Sequence, residues 1–205
     1  MSAMNPDRSP DDAELLRWMR HLRSLAAGVV ASDFPPDAAL RPARAGAATG
    51  EILVWNLVWN LTRRAAAVTE ADLASIPLDL AGDGPLWSPD RWAAIEVWTE
   101  AELCGLHGLW RLARTAAGTA ANAIGPLLER RIAGALHWHL EHTQPDNATH
   151  RPWAVHAFLL SGSAEARFYA ETLVHNVQAQ APDEPTCQWI LADSARELQR
   201  WLARC

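Results

Sequence analysis

Apolar positions recur three and four residues apart along most of this chain, and no segment alternates with period two over the length of a strand. The first stripe, Leu15, Trp18, Met19, His21, Leu22 and Leu25, predicts a helix from about Asp11 to Ala31 behind a disordered lead at residues 1–10. A connection rich in Pro, Gly and Ala follows at 33–50, then a second helix over roughly 50–67. Thr69, ahead of Glu70 and Asp72, starts a short capped helix that breaks at Pro77 and again at Asp83-Gly84-Pro85. Ser88 followed by Pro89 opens a long helix reaching about Ala117. Further helices are expected near 121–143, 149–161, 163–180 and 186–204. The chain reads as all-α with seven or eight helices.

Internal similarity adds an arrangement to that count. A shift of 37 residues lays 130–149 on 167–186 without a gap, matching Arg130 with Arg167, Ala133 with Ala170, Leu136 with Leu173, Pro145 with Pro182 and Thr149 with Thr186. The stripe Ile132, Leu136, Leu140 lands on Tyr169, Leu173, Val177. A second register at 51 residues places 51–63 on 102–114, and a third at 49 places His107 on His156. Stacked αα-hairpins are the expected result, each burying its apolar face on the next. This pattern over residues 50–204 resembles HEAT-like solenoids and the α/α-toroid proteins, such as terpenoid cyclases and protein prenyltransferases. The resemblance implies an open arc or a partial toroid, without the Asp-rich cyclase motif. The expected organisation is a lead (1–10), an N-terminal helix with its irregular connection (11–49), and a helical-repeat domain (50–205).

Composition narrows the function. The chain has no lysine, which excludes a P-loop lysine, a Schiff base and a kinase-type phosphate anchor. A formal charge of −6 with no arginine cluster argues against nucleic acid as a partner. The most apolar run, 52–61, is ten residues long and carries Asn56 and Asn60, far short of the roughly 20 residues a membrane span needs. Cys104, Cys187 and Cys205 form neither a metal-ligand spacing nor a disulfide framework. With a polar N-terminus, a cytoplasmic protein is expected.

The segment 139–156 holds four of the eight histidines, yet the 37-residue copy drops His137, His139 and His142 while keeping the Pro-Asp turn and the threonine. That stretch reads as a joint between helices, with Thr149 capping the next one and Pro152 in its first turn. The repeat registers instead align Asn56, His107, His156 and Asp193. If those helices line one groove, His107, His156 and Asp193 form an acid–base set or hold iron or zinc. Glu102, Arg151, Asn56 and Trp153 would then contact a substrate or partner. Eleven tryptophans carry the other expectation, a protein- or peptide-binding module with a Trp-rich surface, for which Trp18, Trp55, Trp59, Trp153 and Trp189 are the candidates. The two expectations for function are therefore a binding module and, as the alternative, a small toroid-like lyase, cyclase or metal-dependent hydrolase.

Overall fold

The computed structural model describes residues 11–29, 69–76, 78–88, 95–116, 124–143 and 149–204. Among these residues there are seven helices and no strand: α1 (Asp12–Leu25), α2 (Glu70–Ala74), α3 (Ile95–Ala116), α4 (Ile124–His142), α5 (Val155–Ser161), α6 (Ala164–Gln180) and α7 (Pro185–Leu202). The fold is all-α, as the periodicity predicts. The helix expected over 50–67, the onset of the long helix after Ser88, and Pro145 with Asp146 lie outside the described residues. No helix among the described residues is long and apolar enough to cross a membrane.

The chain divides into two compact units, one of Met1–Arg41 with Gln144–Cys205 and one of Pro42–Thr143. In the first, α1 packs against α7, and α5 packs against α6 and α7. Helix α1 starts where Asp11 caps it, its Oδ1 accepting from Ala13 N at 2.9 Å, with Asp12 and Glu14 in the first turn and Arg23 in the last. It buries Leu15, Met19, Leu22 and Ala26, spaced four, three and four. Trp18 and Leu25 flank that stripe half-buried, whereas His21 is exposed. The helix ends six residues short of the expected Ala31, because Ala27 (φ 49°) and Gly28 (φ 79°) turn left-handed. Helix α7 begins at Pro185, whose missing N–H costs nothing at a first helical position, and Glu184 Oε2 accepts from Cys187 N at 2.9 Å. Every residue of α5 from Val155 to Leu160 is buried, and Phe158 stacks on Tyr169 with ring centroids 4.2 Å apart. Burying each such large side chain is worth about 1.5–3 kcal/mol, so α5 is the core of this unit.

Two expected caps are corrected. Helix α5 starts at Val155, not after Thr149. The residue before a proline is driven out of the α region, so Arg151 ahead of Pro152 keeps 149–152 non-helical. Ala154, in the left-handed region at φ 59°, then turns the chain into the helix. The Thr149 hydroxyl is buried and accepts from Asn176 Nδ2 at 3.0 Å instead. Its repeat partner Thr186 lies inside α7, where Glu184 is the cap.

In the second unit, Thr69 and Asp72 form the capping box that starts α2. Helices α3 and α4 pack on each other. From Trp98 to Ala113 every residue of α3 is buried, including Leu103, Leu106, Leu109 and Leu112. A helix apolar on nearly all sides belongs in a core. Helix α4 contributes Leu128, Ile132, Ala135 and Leu136 to it.

Candidate functional site

Helices α3 and α4 present two matched stripes. Trp98, Glu102 and Gly105 stand four and three residues apart on α3, and Arg131, Gly134 and Trp138 three and four apart on α4, so each set shares a helix face. Residues 78–87 are bonded to both stripes. The Glu102 carboxylate accepts from the backbone N–H groups of Leu86 and Trp87, the latter at 2.8 Å. The Arg131 guanidinium donates from Nε to Asp79 O at 2.6 Å and from one terminal nitrogen to Gly84 O at 2.8 Å and Pro85 O at 2.9 Å. Trp98 Nε1 donates to Trp87 O at 3.1 Å. Five of these six bonds fall on the four consecutive residues Gly84-Pro85-Leu86-Trp87. All five use main-chain atoms of these residues, and the Leu86 side chain is buried against α3.

The two glycines explain how a backbone comes so close. A Cβ on Gly105 would stand 3.3 Å from Leu86 Cδ1 and 3.5 Å from Leu78 Cδ2, and one on Gly134 would stand 3.5 Å from Asp83 Cα. The segment closes on itself through Asp79 N to Leu86 O at 2.7 Å, and Asp79 Oδ1 accepts from Ala81 N and Gly82 N at 2.9 and 3.0 Å. Those two amides hold the Asp79 carboxyl below its ordinary value, with Arg131 adding to the effect. Burial pulls the Arg131 guanidinium down from its ordinary value, opposed by the negative charges of Glu102, Asp79 and Asp83. Arg131 and Glu102 thus form a buried opposite-charge couple, 4% and 0% exposed.

An aromatic and histidine group continues the α4 stripe. His139 is fully buried, its Nε2 3.6 Å from Glu102 Oε1. Thr143 gives its hydroxyl proton to His139 O at 3.0 Å, so the contact of Thr143 Oγ1 with the ring at 3.0 Å makes Nδ1 the donor. Trp98 meets Trp138 edge-on at 5.7 Å, and Trp138 stacks on His142 at 4.9 Å.

The residues singled out from the sequence divide between the two units. Glu102 and His107 are buried on α3, five positions apart. Asn56 lies outside the described residues, as do Trp55 and Trp59. Arg151, Trp153, His156 and Asp193 are in the first unit and are buried. His156 Nδ1 is 3.1 Å from Ser194 Oγ, a contact between α5 and α7, while Asp193 on the same turn pairs with Arg196 at 2.5 Å. Arg151 reaches Glu184 at 3.5 Å. Among the described residues no group of three or more His, Cys, Asp and Glu is placed to hold a metal ion. Trp153 and Trp189 are 2% and 1% exposed, which puts both in the core of their unit and not on a surface. Half-exposed rings among the described tryptophans are Trp18, Trp87, Trp138 and Trp201.

Arg131 and Ser194 went unnoticed in the sequence, and His139 reads there as part of a joint between helices. Only the i, i+3, i+7 set of Arg131, Gly134 and Trp138, matched by Trp98, Glu102 and Gly105, carried a signal for the groove. Comparison of the chain with family models, with curated proteins and with solved structures gives no match.

Proposed function

We propose that this chain is a helical module for binding a protein or peptide, and that the α3–α4 face is its recognition groove. The observation that carries the reading is the pattern of bonds to Gly84–Trp87: two carbonyls held by Arg131, two amides by Glu102 and a third carbonyl by Trp98. Main-chain bonds that supply affinity and a pocket that supplies specificity are the general means of holding an extended peptide. Tryptophan and arginine beside a desolvated pocket are also the residue types that dominate protein contacts. Selection of a displayed random-peptide library on the whole chain tests the reading. Selected peptides should bind in fluorescence anisotropy and lose at least about tenfold in affinity with Glu102→Gln, one charge-assisted bond being worth roughly 1.5–3 kcal/mol. A library that yields no binder sensitive to Glu102 removes the proposal.

A second reading, an enzyme using His156 and Asp193 of the first unit, is favoured by one observation. His156 contacts Ser194 beside Asp193 in a fully buried polar set, the kind of setting in which general acid–base groups work. Elemental analysis of untagged protein tests its metal-dependent form. Stoichiometric iron or zinc that is lost with His156→Ala supports it. Metal-free protein whose melting temperature ignores chelators ends it.

A further inference from the structure

We infer that residues 78–88 are a built-in pseudo-ligand, and that the partner of the groove is a short bent segment carrying Pro–Leu–aromatic that competes with Gly84-Pro85-Leu86-Trp87. The inference rests on the binding reading given above and adds to it the sequence chemistry of the partner and the way access is controlled.

The strap itself defines the ligand. Arg131 takes the carbonyls of Gly84 and Pro85, and Glu102 takes the amides of Leu86 and Trp87. No bond is asked of the N–H that proline lacks, so proline fits the second position without loss and fixes its own φ in advance. Leu86 is 1% exposed in the space left by Gly105, which makes leucine the specificity residue. A Cβ at the first position would meet nothing within 4 Å, so that position is open to any residue. The fourth position presents its carbonyl to Trp98 and leaves its own ring half-buried.

Outside this tetrapeptide the strap is held near one end, by buried Leu78 and by the bond from Arg131 to Asp79 O. The side chains of Asp79, Ala81, Asp83 and Ser88 are exposed, and Leu80 and Gly82 are half-exposed. What closes it is local: the Asp79 carboxylate on the amides of Ala81 and Gly82, and Asp79 N on Leu86 O. A tethered segment competes at an effective concentration of about millimolar. A free peptide therefore sees its affinity reduced by the fraction of molecules whose strap is open.

The test uses the whole chain and a fluorescent peptide of residues 78–88, LDLAGDGPLWS. Leu86→Ala empties the pocket in cis, and Asp79→Ala, at an exposed position outside the groove, loosens the closure if the first variant does not fold. Either should bind the peptide at least about tenfold more tightly than the unaltered chain, and adding Arg131→Met should abolish that binding. In the unaltered chain, excess peptide should speed hydrogen exchange at the amides of Leu86 and Trp87. Equal affinity of the unaltered and loosened chains, or exchange at those amides that ignores the peptide, overturns the inference. If library-selected peptides still bind through Glu102 in that case, the groove stands and only the pseudo-ligand falls. If they do not, the binding reading falls with it.

Discussion

Replacing Arg131 with methionine should unfasten the segment 79–87 and cost about 3–5 kcal/mol. Arg131 is 4% exposed and donates three hydrogen bonds of 2.6–2.9 Å. Charge-assisted bonds are worth roughly 1.5–3 kcal/mol each, but three on one guanidinium do not add. Some of the carbonyls it leaves also sit beside exposed residues and regain water. The larger loss lies across the groove, where the fully buried Glu102 loses the opposite charge of Arg131. Removing one member of a buried opposite-charge couple costs up to about 3–5 kcal/mol, a large share of the roughly 5–15 kcal/mol that holds a domain together. With a urea slope of about 2 kcal/mol per molar, the midpoint followed by tryptophan fluorescence should fall by roughly 1.5–2.5 M. Removing both charges, Arg131→Met with Glu102→Gln, should cost less than the sum of the single changes by about 1–3 kcal/mol. A midpoint shift under about 0.5 M for Arg131→Met, or strict additivity in the pair, would refute the buried couple.

Other consequences follow from the same geometry. The folded-state Asp79 carboxyl lies below its unfolded value of about 3.9, so its stabilisation is complete above that value and is lost as pH falls through the folded one. Asp79→Ala should therefore flatten the decline of the urea midpoint between about pH 5 and pH 2; an unchanged slope would show that the two amide bonds do not matter. Gly134→Ala should stabilise by about 0.5–1 kcal/mol, since helix propensity favours it and its Cβ meets Asp83 only at ordinary contact distance. Gly105→Ala should show no such gain, because its Cβ presses Leu86 at 3.3 Å; a thermal melt of both variants separates the two effects. Thr69→Ala removes one half of the capping box and should cost about 1 kcal/mol, read as loss of protection in α2 by hydrogen exchange.

Signals that act within one turn of helix were legible in the chain. The capped start at Thr69, the apolar stripe of Leu15, Met19 and Leu22, and the helical run through Leu103, Leu106 and Leu109 all report local backbone and burial preferences. Thr149 misled because two local rules competed there: a good capping residue stood ahead of an Arg-Pro pair that forbids helix, and the proline rule prevailed. The groove was hidden for a different reason. It holds Gly84–Trp87 largely by main-chain atoms, which no side-chain pattern advertises, and nothing in the sequence set Arg131 apart. The 37-residue register even aligns buried Arg131 with Phe168, which is 66% exposed, so similarity along the helix gave no hint of what each position meets across it. The alignment of His107 with His156 likewise equated residues that belong to different units. Of the residues bonded to 78–87, Glu102 alone was singled out from the sequence; the structure shows it bonded to the amides of Leu86 and Trp87.

The central claim is that Glu102 holds the chain's own tetrapeptide by the amides of Leu86 and Trp87, and amide hydrogen exchange reads those two atoms directly. In Glu102→Met both amides should exchange at the rates of an open loop while the amides in the middle of α4 stay protected. Unchanged slow exchange at Leu86 and Trp87 in that variant would contradict the account.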